Sequence, residues 1–329
     1  MNDTLTSDET GLIFGFLLDG NGGGRELSAS EIDTDFGPDA VTWLHFDFTN
    51  PAARNWIEKQ NGLNEIMAEA LLVDDSRPRC LYDSDGVLTV LRGINLNPGS
   101  EVEDMVSIRI WINRRRIIST RRRKLLSVVQ IHDELLAGNG PLDPGSFLLE
   151  LIDLIGKRIG DAIEAIDNRL DLADDELQNE KQAPSRSRFG ELRRQAARIR
   201  RYLAPQREAL DRLSRLSNSI ITPEIAAGLF EQTNWMTLFV EDLDLARERA
   251  MVAQEETLNI LAHDQNSKMF LLSIVAAIFL PLAFFTGLMG MNVAGLPGTE
   301  SPWSFSIVVV LMFAAAGGIL WLFRRKKWL

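Results

Sequence analysis

The chain has a single cysteine, Cys80, in 329 residues. That excludes an intramolecular disulfide and any zinc site built from a cysteine cluster. Charge is missing from one long stretch: between residues 269 and 323 the only charged side chain is Glu300. Basic residues are absent from 292–302, and glycine and proline are absent from Leu229 to Leu280. The opening MNDTLTSDETG has no basic n-region and no apolar run of roughly 7–15 residues, so it is not read as a signal peptide. The Gly-rich stretch Asp19–Arg25 lacks the Lys-Ser/Thr of a phosphate-binding P-loop and reads as a flexible turn. No nucleophile–base constellation is visible, which argues against an enzyme.

What is present divides the chain. Setting aside Glu300 and the four basic residues at 324–327, 31 basic and 45 acidic residues remain, a balance of −14. So acidic a body disfavours nucleic acid as a partner and attracts cations. Two apolar runs follow it, Met269–Met291 and Trp303–Phe323. Each exceeds the roughly 20 residues needed to cross a hydrocarbon core of about 30 Å. Trp303 and Trp321 sit near the ends of the second run, where interfacial aromatics belong. The tail Arg324-Arg325-Lys326-Lys327 is expected to be cytoplasmic by the positive-inside bias. The loop 292–302 then faces outward, and both termini are cytoplasmic.

Residues 1–145 read as an α/β domain. Strands are expected at Gly11–Leu17, Val41–Phe48, Val87–Ile94, Met105–Ile112 and Arg116–Arg121, all rich in apolar and β-branched residues. Asn113-Arg114-Arg115 would close a short hairpin. Short amphipathic helices are expected at Pro51–Gln60 and Leu63–Leu72. Residues 146–268 form a helical stalk. Ser146–Glu180 and Ser187–Leu216 carry apolar residues at steps of three and four, as in Leu148, Leu151, Ile152, Ile155 and Ile159. The first of these helices is acidic outside (Asp161, Glu164, Asp167, Asp171, Asp174) and the second basic (Arg188, Arg193, Arg194, Arg198, Arg200, Arg201). Charge pairing predicts that they pack as an antiparallel hairpin. A third helix starts at Thr222-Pro223-Glu224, with an N-cap, a proline at N1 and a first-turn acid. It is expected to run unbroken into the first apolar run, about 100 Å from Pro223 to Met291 at 1.5 Å per residue. Residues 269–329 form the transmembrane part.

One motif is specific. Gly290-Met291-Asn292, at the outer end of the first span, resembles the Gly-Met-Asn signature of CorA-type divalent cation channels. The order of parts is similar too: a cytosolic α/β domain, long stalk helices, two C-terminal spans and a basic tail. The loop Val293-Ala294-Gly295-Leu296-Pro297-Gly298 resembles the ZntB zinc transport branch, as do Ser76-Arg77-Pro78-Arg79, Glu103-Asp104-Met105-Val106-Ser107 and the stretch Leu91–Gly99. Met291 at the middle of the motif is CorA-like. The resemblance implies an α+β funnel, a homopentamer in a bacterial inner membrane, a central pore lined by the first span, and zinc as cargo with no resident cofactor. It also implies proton-coupled uptake.

In a five-fold ring Asn292 would present side-chain amides and Gly290 backbone carbonyls, neutral dipoles that order the hydration shell of a divalent ion. Below them a stripe of Gly287, Ala283, Leu280, Ala276, Leu272 and Met269 would form an apolar constriction gated by dewetting; small residues there also suit helix packing. Pro281 is expected to kink this helix. Dehydrated zinc requires Cys, His or carboxylate ligands, and neither span has one, so the ion is expected to cross at least partly hydrated. Proton coupling would fall to groups at the ends: His263, Asp264 or Glu300. Carboxylates along the stalk, Glu255 among them, would concentrate cations, or simply form a solvated helix face. His45 and Asp47 share a strand face and read as packing; His132 and Asp133 are weak candidate metal ligands. A magnesium, cobalt or nickel channel of the same fold stays open, as does a membrane-anchored scaffold whose spans only oligomerise it.

Overall fold

The computed structural model describes residues 10–60, 63–74, 77–178, 186–291, 296, 298 and 301–326. The chain divides into two compact units, Met1–Glu255 and Glu256–Leu329. The first is built on a seven-stranded sheet. Its strands are β1 (Leu12–Leu18), β2 (Gly24–Glu26), β3 (Val41–Asp47), β4 (Arg79–Tyr82), β5 (Val87–Gly93), β6 (Val106–Ile112) and β7 (Arg116–Arg121). They lie in the order β2-β1-β3-β7-β6-β5-β4. Only β3 and β7 pair in parallel.

Alternation along the strands separates two cores, because successive side chains point to opposite faces. Leu44, Leu88, Trp111 and Ile118 pack on one face with α1 (Pro51–Glu58) and α2 (Glu65–Leu72). Trp43, Val87, Ile110 and Ile117 pack on the other, with α3 (Leu126–Ala137), α4 (Pro144–Gln178), α5 (Arg186–Ser214) and the first part of α6 (Pro223–Met289). The two short helices start on asparagine caps: Asn50 accepts from the Ala52 N–H at 2.8 Å, and Asn64 from the Met67 N–H at 2.8 Å.

The five expected strands all form, with ends within one residue of the expected ones. The β6–β7 hairpin lacks glycine because Asn113 replaces it: its Oδ1 accepts from the N–H groups of Arg115 (2.9 Å) and Arg116 (2.7 Å). The Asp19–Arg25 stretch is not all turn. Asp19 Oδ1 holds the N–H groups of Asn21 and Gly23, at 2.7 and 3.0 Å, and the chain then pairs Gly24 and Arg25 back on Leu18 and Leu17 as β2. Cys80 is buried in β4, and burial pushes its thiol up to about 11.

α4 packs against α5 as expected, but the charge pairing is only partly between them. Acidic α4 meets basic α5 at Glu176–Arg188 (2.6 Å), but Arg169 of α4 also reaches Glu191 of α5 at 3.4 Å. The other arginines and acids are shared with α6 and a loop. Arg249 of α6 reaches Asp174 at 3.0 Å, Arg200 lies 2.6 Å from Asp244 of α6, and Arg198 lies 3.7 Å from Glu103. The reason is that apolar stripes, not charges, choose the partners. Ile155, Ile159, Ile163 and Ile166 of α4, Leu192 and Ile199 of α5 and Leu243 of α6 are all in one core, whereas exposed ion pairs contribute on the order of 0–1 kcal/mol each.

His45 is fully buried and stacked on Phe14, with ring centroids 4.8 Å apart. Ser119 Oγ lies 2.7 Å from Nδ1 and accepts from Trp43 Nε1 at 2.8 Å. Burial holds the His45 pKa well below its ordinary value, so the ring is neutral. Asp47 turns away and accepts from the Thr49 N–H and hydroxyl. The pair is packing, as its strand position implies.

A second titratable pair lies between α3 and α4. Burial, and then a hydrogen bond with Glu134, push Glu150 up to about 7. A carboxyl with a raised folded pKa stabilises the fold below its unfolded value near 4.5, and that contribution is lost as pH rises through about 7. Glu150→Gln is therefore expected to be more stable than the parent at pH 8 and to lose its advantage below pH 5, read as the thermal midpoint of the first unit across that range. A constant difference at all pH values would refute it.

Candidate functional site

The second unit contains two helices long and apolar enough to cross a membrane: the C-terminal part of α6, and α7 (Ser304–Arg325). The two hydroxyls in the apolar part of α6 are satisfied locally, as an apolar solvent demands. Ser273 Oγ donates to the Met269 carbonyl at 2.9 Å, and Thr286 Oγ1 to that of Ala283 at 3.0 Å. The helix continues through Pro281, whose nitrogen leaves the Ala277 carbonyl without its helical donor.

Burial along the apolar part of α6 follows one seam. Ile274, at 7% exposed, is the most enclosed of these side chains, and Ile278 and Leu282 are half-buried below it at steps of four. On α7 the half-buried residues are Ser304, Val308, Val309, Met312, Ala316, Ile319 and Phe323, mostly at steps of three and four. At 100° per residue the predicted stripe lies roughly opposite that seam on α6. Met269 is 69% exposed, Leu272 72% and Leu280 76%, and Ala276, Ala283 and Gly287 are exposed with them. The single chain leaves that whole apolar face uncovered.

α6 ends at Met289, and the Gly290 N–H still donates to the Thr286 carbonyl at 2.9 Å. A Cβ at 290 would come 3.0 Å from that carbonyl oxygen, tighter than nearly all real contacts. A Cβ at 287 would meet nothing within 4 Å. Met291 is exposed. Asn292 and Glu300 lie outside the described residues. Across the loop, Gly298 has φ +90°, and Ser304 Oγ donates to its carbonyl at 2.6 Å.

The remaining candidates are scattered. Glu255, His263 and Asp264 are exposed on α6, and Asp264 is paired with Lys268 at 2.7 Å. In the first unit His132 Nδ1 lies 2.9 Å from Asp133 Oδ1, and its Nε2 lies 3.5 Å from Glu26 Oε1. Its ring packs on Phe14 and Phe16. Among the described residues no three His, Cys, Asp or Glu side chains are grouped to hold a metal ion.

A family model described as CorA-like Mg2+ transporter protein matches residues 38–325. The divalent cation transporter CmaX of Pseudomonas aeruginosa is 38% identical over 327 residues, 98% of each chain. The zinc transport protein ZntB of Pectobacterium carotovorum is 32% identical over 321 residues, 97% of each chain. The solved structure of full-length CmaX matches with a TM-score of 0.86 over 98% of this chain and 100% of that one. The CorA magnesium transporter of Methanocaldococcus jannaschii, at 18% identity, shares the fold with a TM-score of 0.79 over 96% of this chain and 98% of that one.

Proposed function

Since the chain belongs to the family of CorA-like Mg2+ transporter proteins and is a divalent cation transporter, we propose that it takes up zinc through a homopentameric pore in a bacterial inner membrane, with Gly290-Met291-Asn292 at the outer mouth. The observation that carries this reading is the uncovered face of α6. Met269, Leu272, Ala276, Leu280, Ala283 and Gly287 form one stripe, and the half-buried seam of Ile274, Ile278 and Leu282 is on the other side. Five copies turned stripe-inward would make a narrow apolar tube jacketed by α7. Gly287 supports it: nothing within its own chain limits a side chain there, so its glycine is accounted for by the width of a tube or the approach of a neighbour.

The chemistry of the wall sets the form of the cargo. No charged or imidazole group lines the stripe, so a bare zinc ion would lose its hydration energy with no ligand in return. The ion crosses with much of its water shell. The ring of Asn292 amides and Gly290 carbonyls orders that shell, and the apolar tube below opens when it wets. Zinc as the cargo rests on the likeness to ZntB; a magnesium, cobalt or nickel channel would use the same wall.

Flux into proteoliposomes tests the reading. Zinc influx is expected, reduced little by a tenfold excess of magnesium, and faster when the outside is more acidic. Equal block by magnesium would reassign the cargo, and no flux of any divalent ion would sink the pore.

A further inference from the structure

The first unit holds a cavity of about 450 Å³ that the transport reading leaves without a role. It opens at the end of the sheet where β5 finishes, β6 begins and the chain leaves β7, and α5 closes its side. Six arginines line it: Arg92, Arg109, Arg122, Arg123, Arg198 and Arg201. Against them stand three carboxylates, Asp74, Glu103 and Asp104. Its described lining is thus net positive, in a chain of net charge −11.

The arginines fall into two groups. Arg92 and Arg109 are 8% and 1% exposed and sit in strands that otherwise read as apolar. They are anchored from the cavity floor. Arg92 Nη1 donates to the Met105 carbonyl at 3.0 Å and its guanidinium lies 4.4 Å over Tyr202; Arg109 Nη2 donates to the Asp74 carbonyl at 2.6 Å. Of the outer group, Arg122 is held by Asp74 at 2.5 Å, and Arg198 lies 3.7 Å from Glu103 and 4.0 Å from Asp104. Arg123 and Arg201 are exposed and make no ion pair among the described residues. The Ser107 hydroxyl, buried in the same wall, has no hydrogen-bond partner among the described residues.

We propose that this cavity binds a small anion carrying two or more linked phosphates. Guanidinium groups match phosphate oxygens two at a time, and Ser107 supplies a further donor. The volume lies within the roughly 300–1,000 Å³ of small-molecule pockets and exceeds what one phosphate fills. Tyr202, which would be the stacking platform for a base, is already covered by Arg92. The phosphate chain is therefore what the cavity reads, whether it arrives as a free polyphosphate or on a nucleotide.

Calorimetric titration of the purified full chain in detergent, with EDTA present so that no metal is chelated, tests this. Inorganic pyrophosphate is expected to bind, and orthophosphate at least about tenfold more weakly. ATP binding as pyrophosphate does marks a free polyphosphate as sufficient; ATP binding tenfold tighter marks a nucleotide as the natural source. Both support the cavity as a polyphosphate site. Arg123→Glu and Arg201→Glu change exposed residues, so folding is expected to survive, and each should weaken pyrophosphate about tenfold or more. Arg193→Glu, exposed on α5 outside the cavity, should leave it within about twofold. Absence of pyrophosphate binding overturns the proposal. So does weakening by Arg193→Glu equal to that by Arg201→Glu, or binding that survives the two cavity reversals together, which would place it on the basic tail at 324–327.

Discussion

Replacing Asn292 with alanine is expected to cut divalent cation flux between roughly ten- and a hundredfold while leaving the oligomer intact. In the proposed five-fold ring each amide would contribute a net hydrogen bond of at least about 0.5 kcal/mol to the ion's water shell. Five together make ~2.5 kcal/mol, close to two powers of ten in the occupancy of the mouth. Alanine removes every one without altering the backbone carbonyls of Gly290. Asn292→Gln keeps the amide and moves it outward, so it should recover part of the flux. The readout is zinc entry into proteoliposomes beside the oligomer mass of the same preparations. Flux within twofold of the parent in the alanine variant would remove Asn292 from the mouth.

Trp43→Ala is expected to destabilise the first unit by about 3–5 kcal/mol. Trp43 is fully enclosed, with its ring 4.7 Å from Phe147 of α4 and 4.8 Å from Phe14 of β1, centroid to centroid. It joins the sheet to the first long helix, and no neighbour can collapse far enough to refill a cavity of that size. Its loss also strips Ser119 Oγ of the indole donor while that hydroxyl still serves buried His45. Trp43→Phe keeps most of the packing and forfeits the hydrogen bond, at ~1 kcal/mol. Native-state hydrogen exchange in β3 and β7 separates the two, since those amides open with the unit. Protection unchanged in Trp43→Ala would mean that the ring holds nothing together.

Much of the sheet is legible in the sequence because each inner strand carries two apolar faces, as Trp43 with Leu44 and Ile117 with Ile118 do. The edge strands are not. β2 and β4 present exposed Glu26, Arg79 and Tyr82 and are held by main-chain pairing to one neighbour, which leaves no side-chain period to read. α3 buries Val128, Ile131 and Leu135, but it opens on Leu125 with no capping side chain, so its start goes unsignalled. Charge points to the packing of α4 on α5 but not to the pairs both make with α6, because exposed pairs follow packing and do not direct it. At the candidate site the stripe from Met269 to Gly287 is visible as helical spacing, whereas its place opposite the half-buried seam of α6 needs coordinates. The arginine-lined cavity is invisible in one dimension: its walls come from Arg92, Arg109 and Arg201, brought together only by the sheet's order and the return of α5.

The buried thiol of Cys80 has a practical consequence. With its proton held to about 11 and its sulfur enclosed, the natural protein already serves as an unreactive background for thiol chemistry. A cysteine placed anywhere between Met269 and Gly287 is then the only thiol open to a water-borne reagent, and it reacts only where water reaches it. The wetted side of that helix can then be charted residue by residue, with no engineering of the background.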